Sequence, residues 1–253
     1  MIDLHSHLLH GLDDGAKTLE ESIEMCRLAF QDGIRTIVAT PHTLTGVYSN
    51  DRLTILAKVQ ELNAFLIRSE LFTPNSEITI LPGSDVHFSE GLLKDLEEGR
   101  LTTVGDGGRF LFVEFPFNGI PFRAESVLFQ LLGRGTTPII THPERNIEIA
   151  SRPYRYYEML RMGCLGQITA MSLTGEFGHK IKQVAESLLR LRLIHFIATD
   201  AHSVNGRPPI LSKAVRSAAK IIGADEAIKM VTEYPHAILN GEKPNVPEPL
   251  SPK

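Results

Sequence analysis

With 253 residues, 42% of them hydrophobic and 22% charged, the sequence has the size and composition of a soluble globular protein able to bury a sizeable core. Its formal net charge of −4 and scattered Lys and Arg exclude the electrostatic footprint of a nucleic-acid binder or of a protein held on an anionic membrane surface. No apolar run approaches membrane-spanning length, and MIDLHSH has neither the basic nor the apolar region of a secretory signal, so the expectation is a cytoplasmic protein that is not membrane-embedded.

Short β-branched or apolar runs alternate with helix-period stretches along the chain. Strands are predicted at Ile2–His5, Ile34–Thr40, Glu77–Pro82, Phe110–Phe115, Pro138–Thr141, Cys164–Thr169 and Ile194–Thr199. A helix from Leu19 to about Gln31 begins at the capping pair Thr18 and Glu21 and stops at Gly33. A second, near Asp51–Leu71, carries Ile55, Val59, Leu62 and Leu66 on one stripe. Later helices carry Leu92 and Leu96, Val127 and Leu131, Ile181 and Leu188, and Leu211 and Val215. Cys26 and Cys164 lie in apolar-periodic stretches and read as buried thiols of a reducing compartment. Seven strands alternating with helices imply a parallel sheet, wound open or closed as a barrel. The first strand runs into His-Ser-His rather than a glycine-rich phosphate loop, and no linker divides the chain. One domain over residues 1–240 is expected, followed by a Pro-rich tail at 241–253, extended or frayed.

Barrel enzymes keep their chemistry at the C-terminal ends of the strands. Here the first strand ends in His5-Ser6-His7, followed by Asp13-Asp14-Gly15, and the second in Thr40-Pro41-His42. The third runs into Asp85-Val86-His87, the fourth carries Glu114, the fifth ends at His142 and the seventh at Asp200-Ala201-His202. Only the sixth, ending near Thr169, has no strong ligand. Residues i and i+2 of a strand point the same way, so His5 with His7, and Asp200 with His202, can face one ion. A thiolate-free set of imidazole and carboxylate suits Mn or Fe and also admits Zn, and it is larger than one ion can use. The joint placement outweighs the ordinary reading of each residue alone, which is a structural or solvated side chain. His195, inside an apolar strand, reads as packed, and His179 and His236 read as exposed or capping.

The motifs HSHLLHGLDDGA, ATPH, THPER, SLTGEFG and TDAHSVNGRPP, taken in order, resemble the polymerase and histidinol phosphatase (PHP) superfamily. More closely, they resemble its bacterial manganese-dependent protein-tyrosine phosphatases, found with the tyrosine kinases of capsule and exopolysaccharide synthesis. The resemblance implies a distorted (β/α)7 TIM-like barrel with three divalent metals, Mn by preference, with Fe or Zn as alternatives. It implies His5, His7, Asp85 and Asp200 on the first metal and Asp85, Glu114 and His142 on the second. Asp14, His42 and His202 would hold the third. Arg145 and Arg207 match the family's phosphate-clamping arginines. The implied substrate and partner is a phosphotyrosine protein, such as a bacterial tyrosine kinase or an exopolysaccharide regulator. The sequence departs from the pattern at Asp85, where Glu is usual, at Thr169, where Asn is common, and at His10, where Pro is common. His87 shares a face with Asp85 and reads as substrate-facing or solvated, with a share in metal binding as the sharper reading.

The chemistry implied is hydrolysis of a phosphomonoester by water, without a covalent phosphoenzyme. A cysteine-based phosphatase is excluded, because Asp32 and Ala170 stand where Cys-x5-Arg would need arginine, and no G-x-S-x-G elbow serves a serine nucleophile. The alternatives are a phosphatase of histidinol phosphate or another small molecule and, more distantly, a metal-binding regulator with impaired catalysis.

Overall fold

A computed structural model describes residues 1–43, 46–68 and 78–252. Among these residues nine strands stand where seven were expected, because two of the predicted strands are each followed, after a break, by a short further strand. The strands are β1 (Ile2–Ser6), β2 (Thr36–Ala39), β3 (His42–Thr43), β4 (Thr79–Pro82), β5 (Asp85–His87), β6 (Phe110–Glu114), β7 (Thr137–Thr141), β8 (Leu165–Thr169) and β9 (Phe196–Ala198). Pro41 has no N–H to give a ladder, so β2 stops before it and resumes as β3. Beside it, β4 ends at Pro82, and a side chain at Gly83 would come within 2.7 Å of Val38, so only glycine lets the chain bend into β5. The two breaks lie side by side: Ala39 pairs Pro82 before them and His42 pairs Asp85 after them. The bend therefore sets an imidazole opposite a carboxylate.

The named strands pair with one another only in parallel, in the order β1-β2-β4 and β3-β5-β6-β7-β8-β9. Since β2 continues into β3 and β4 into β5, these are seven strand paths. The last path returns to the first: Asp200 N donates to His5 O and His7 N to Ala201 O, each at 2.8 Å. Between them the Asp3 carboxylate accepts from Thr199 N at 2.9 Å and from Thr199 Oγ1, so a side chain completes the closure. Burial pushes Asp3 up to about 7 despite those hydrogen bonds. The result is a distorted α/β barrel of seven strand paths, the closed form of the parallel sheet that the strand–helix alternation implied and the barrel that the family resemblance implied.

The strands read as near-continuous apolar runs because helices cover them. The helix Leu19–Gln31 has the predicted bounds, with Thr18 Oγ1 accepting from Glu21 N. The second helix is described over Arg52–Arg68, with Ile55, Val59, Leu62 and Leu66 buried; the predicted extension to Leu71 and the strand start at Glu77 lie outside the described residues. Further helices at Leu92–Glu97, Ala124–Gly133, His179–Arg190 and Ser212–Ile222 carry the predicted apolar stripes. Both cysteines are buried as free thiols, and burial pushes each up to about 12. Residues 241–252 form no helix or strand and lie against the barrel, where Leu250 N donates to Leu191 O. No described helix is long and apolar enough to cross a membrane.

Candidate metal centre

Six strand ends deliver the imidazoles and carboxylates to one place. His5 and His7 come from the end of β1, their Nε2 atoms 3.1 Å apart. His42 begins β3, Asp85 begins β5, Glu114 ends β6, His142 follows β7, and Asp200 and His202 follow β9. His142 and Asp200 hold left-handed backbone, with φ of 34° and 52°. Such strain outside glycine persists only where surrounding contacts over-determine it. The Asp13-Asp14-Gly15 loop folds back onto β1, with Ala16 N donating to His7 O. A side chain on Gly15 would lie 2.0 Å from that same oxygen, so the loop can approach β1 only through glycine.

The donor atoms form three overlapping sets, each within 4.8 Å: His5, His7 and Asp200; His7, Asp14, His42 and His202; and His42, Asp85 and Glu114. Asp85 Oδ2 lies 3.7 Å from His5 Nε2, 3.5 Å from His42 Nδ1 and 4.0 Å from His142 Nε2, a central position among the sets. His142 Nε2 is 3.4 Å from Glu114 Oε1, and His42 and His202 reach Asp14 Oδ1 at 3.7 and 3.5 Å. All nine predicted ligand residues thus meet. His87, read from the sequence as substrate-facing or solvated, is partly exposed and places Nδ1 3.5 Å from Glu114 Oε2.

These separations fit cations better than hydrogen bonds. Atoms bound to one ion at about 2.0–2.2 Å stand roughly 3.0–3.5 Å apart. Asp85 is fully buried, yet neither of its oxygens accepts a well-formed hydrogen bond from a described residue, and His42 Nδ1 is equally orphaned. Burial and the neighbouring Glu114 charge push Asp85 well above the usual carboxylate range. A dication would remove both costs at once.

Three histidines are already set for ligation. A carboxylate or carbonyl oxygen can only accept, so His7 Nδ1–H donates to Asp13 Oδ2 (2.6 Å), His5 Nδ1–H to Gln167 Oε1 (3.0 Å) and His202 Nδ1–H to the Asp200 carbonyl (2.8 Å). Each Nε2 is left facing the centre. Burial holds His5 well below its ordinary value, and burial with the nearby His7 charge takes His202 down to about 2. His7 differs: burial opposes its charge, but Asp13 and Asp200 outweigh it and hold the ring's pKa at about 10. Burial works against the Asp200 charge as well, and Arg145, His7, His5 and Arg207 keep its carboxyl well below the usual range.

Arg145 and Arg207 converge on Asp200 Oδ2, the latter at 2.6 Å. The Nε of each is buried without an acceptor. Phe177, from the SLTGEFG motif, stands beside both guanidinium groups, its ring centre 5.3 Å from Arg145 Cζ and 5.6 Å from Arg207 Cζ. Thr169 closes the cluster, accepting from Arg145 at 2.9 Å and donating to Asp200 Oδ2 at 3.2 Å.

Four supporting residues escaped the sequence reading. Asp13 stood in the DDG motif beside the chosen Asp14, yet it is the more buried of the two and is tied to His7 Nδ1, Gly15 N and His42 N. Gln167 lies on the strand judged bare of ligands; that strand supplies orientation. Glu144, buried, accepts from Thr169 N and Ser172 Oγ, fixing the turn that carries Arg145. Phe177 was passed over because the SLTGEFG motif was used only for the family resemblance, with no role given to its residues.

A seven-path α/β barrel with a buried imidazole and carboxylate cluster and two arginines at its C-terminal rim defines a metal-dependent hydrolase type of site. Residues 1–240 match the family described as capsular polysaccharide synthesis, CpsB/CapC, and the chain belongs to that family. It is 37% identical to the tyrosine-protein phosphatase YwqE of Bacillus subtilis, over 96% of this chain and 92% of that one. It is 35% identical to the putative tyrosine-protein phosphatase CapC of Staphylococcus aureus, over 84% and 81%. Among solved structures it matches one from the work on YwqE from Bacillus subtilis and CpsB from Streptococcus pneumoniae, described as unique metal-dependent tyrosine phosphatases. That match has a TM-score of 0.93 and 36% identity, with 100% of both chains covered. The histidinol phosphate phosphatase of Lactococcus lactis shares the fold at a TM-score of 0.55 and 14% identity, over 89% and 93% of the two chains.

Proposed function

We propose that this protein is a metal-dependent protein-tyrosine phosphatase, hydrolysing phosphotyrosine on a bacterial tyrosine kinase or a regulator of exopolysaccharide synthesis in the cytoplasm. The observation that carries the reading is the convergence of nine ligand residues and two arginines on one buried centre. The family and the names of its similar members support the substrate class.

The metal assignment is the one the family resemblance implies, and the clustering of the donor atoms into overlapping sets supports a centre of several cations. His5, His7, Asp85 and Asp200 would hold one cation, Asp85, Glu114 and His142 a second, and Asp14, His42 and His202 a third. Manganese suits this thiolate-free set, and Fe and Zn are the alternatives. Bound divalent cations supply Lewis acidity, making water a competent nucleophile near neutral pH and offsetting charge on the phosphoryl oxygens. The chain's own residues do the positioning. Arg145 and Arg207 hold their outer nitrogens on Asp200 and keep Nε–H donors in reserve, which suits them to grip non-bridging phosphoryl oxygens. Asp200 and Thr169 fix the direction of that grip before substrate arrives. The buried thiols take no part.

Turnover of a phosphotyrosine peptide, a phosphoserine peptide and histidinol phosphate, each with Mn and with chelator, tests the reading. Phosphotyrosine should be preferred, and chelation should abolish the activity. Preference for histidinol phosphate, or activity that survives chelation, would refute it.

A further inference from the structure

A cavity of about 120 Å³ opens beside the centre. Its lining joins Glu114, His142 and Arg145 to the apolar surfaces of Phe117, Pro143 and Ile149. The walls are tied to one another. Asn146 Oδ1 accepts from Ile149 N at 3.0 Å while its Nδ2 donates to Pro116 O at 2.8 Å, and Ile147 N donates to Phe117 O at 3.0 Å. The turn after β7 and the loop after β6 are therefore held together, and the cavity is formed without a ligand.

We propose that this cavity receives the aromatic ring of the substrate, so that Phe117, Pro143 and Ile149 set a preference for aryl over ringless phosphates. The proposal rests on the phosphatase reading above. Its size suits the occupant: an apolar cavity of about 150 Å³ takes up benzene, and this one is slightly smaller and open on one side. Its position suits the chemistry. Two proposed metal ligands and one phosphate-gripping arginine share its wall, so a ring lodged there keeps its ester oxygen at the reacting centre. Arg145 also offers a cation to the ring's π-face. A serine or acyl phosphate has nothing to fill the space.

Phe117 is 64% exposed, so Phe117→Ala spares the core, whereas Ile149→Phe fills the cavity from within. Each variant should lower kcat/KM for a phosphotyrosine peptide by about tenfold, the scale of a hydrophobic pocket contact. Acetyl phosphate, which has a good leaving group and no ring, should be turned over within about twofold of the wild-type rate. Binding of p-cresol, read by saturation-transfer NMR, should be present in wild type and lost in Ile149→Phe. Equal losses on both substrates would overturn the proposal, as would loss of aryl preference in Phe177→Ala with none in Phe117→Ala. If wild type turns over no phosphate with any divalent cation, the phosphatase reading falls. The p-cresol arm then still decides the cavity: binding that Ile149→Phe abolishes supports it, and no binding to wild type overturns it.

Discussion

The two halves of the centre are built differently. On the β1/β9 side each imidazole has its Nδ1–H anchored on a protein oxygen, and Asp200 is gripped by two guanidinium groups and Thr169. On the β3/β5 side the buried Asp85 carboxylate and the Nδ1 atom of the half-buried His42 have no hydrogen-bond partner among the described residues and face each other across 3.5 Å. The first half is organised by the protein alone. The second is organised around something the protein does not supply, and there the cation contributes structure as well as chemistry.

The largest effect expected is at the heart of the self-sufficient half. Asp200→Ala leaves two guanidinium groups facing each other with their shared carboxylate gone. Removing one partner from a buried pair costs about 3 kcal/mol or more. Urea unfolding should show that loss with and without added Mn. A loss below about 1 kcal/mol would mean that the arginines find water easily and that this half is not pre-organised.

Asp85→Asn should act in the opposite sense. In the cation-free protein the Asp85 carboxyl is raised by burial, so the folded state keeps its proton where the unfolded chain has lost it. Stability of cation-free wild type should therefore fall as pH rises above the ordinary Asp value, and the variant should lack that slope. Without cations the variant should match or exceed wild type. With divalent ion at a hundredfold excess over Kd, each occupied site adds about 2.7 kcal/mol to wild type, and the variant should forfeit the share of the two sites that Asp85 joins while keeping that of Asp14, His42 and His202. Thermal unfolding across pH, with and without Mn, reads both effects. A variant that gains as much stability from Mn as wild type would remove Asp85 from the role of shared ligand.

How much of this was legible in the sequence follows the same division. Ligands at strand ends could be read because the strand period and the barrel rule fix where such residues point. The short strands His42–Thr43 and Asp85–His87 were not predicted, since the chain is seen to resume beyond Pro41 and Gly83 only once the two breaks are known to lie side by side. The helix Tyr154–Met162 was overlooked because its stripe is carried by Tyr156, Tyr157 and Met159; Pro153 at its start and Gly163 at its end, with φ of 119°, were the available signals. Orienting residues such as Gln167 were illegible for a deeper reason. A glutamine in an apolar strand has no meaning until the fold brings His5, 162 positions away, to 3.0 Å.

The smallest effect expected separates orientation from ligation. Asp13 touches no proposed cation position; it accepts from His7, Gly15 and His42, and its charge keeps the His7 ring basic. Asp13→Asn keeps the shape and an acceptor oxygen but removes the charge. The His7 ring should then bind a cation about tenfold more weakly, near 1.4 kcal/mol, as is usual when the group behind a ligating histidine is altered. The same loss of charge should release the His7 proton more readily, so the weakening should be greatest at high pH, where wild-type His7 has already given up its proton, and smaller near neutrality. Mn titration at two pH values measures it. If Asp13→Asn instead abolished binding as fully as Asp85→Asn, the β1/β9 half would depend on its charge for more than orientation, and the contrast between the two halves would not hold.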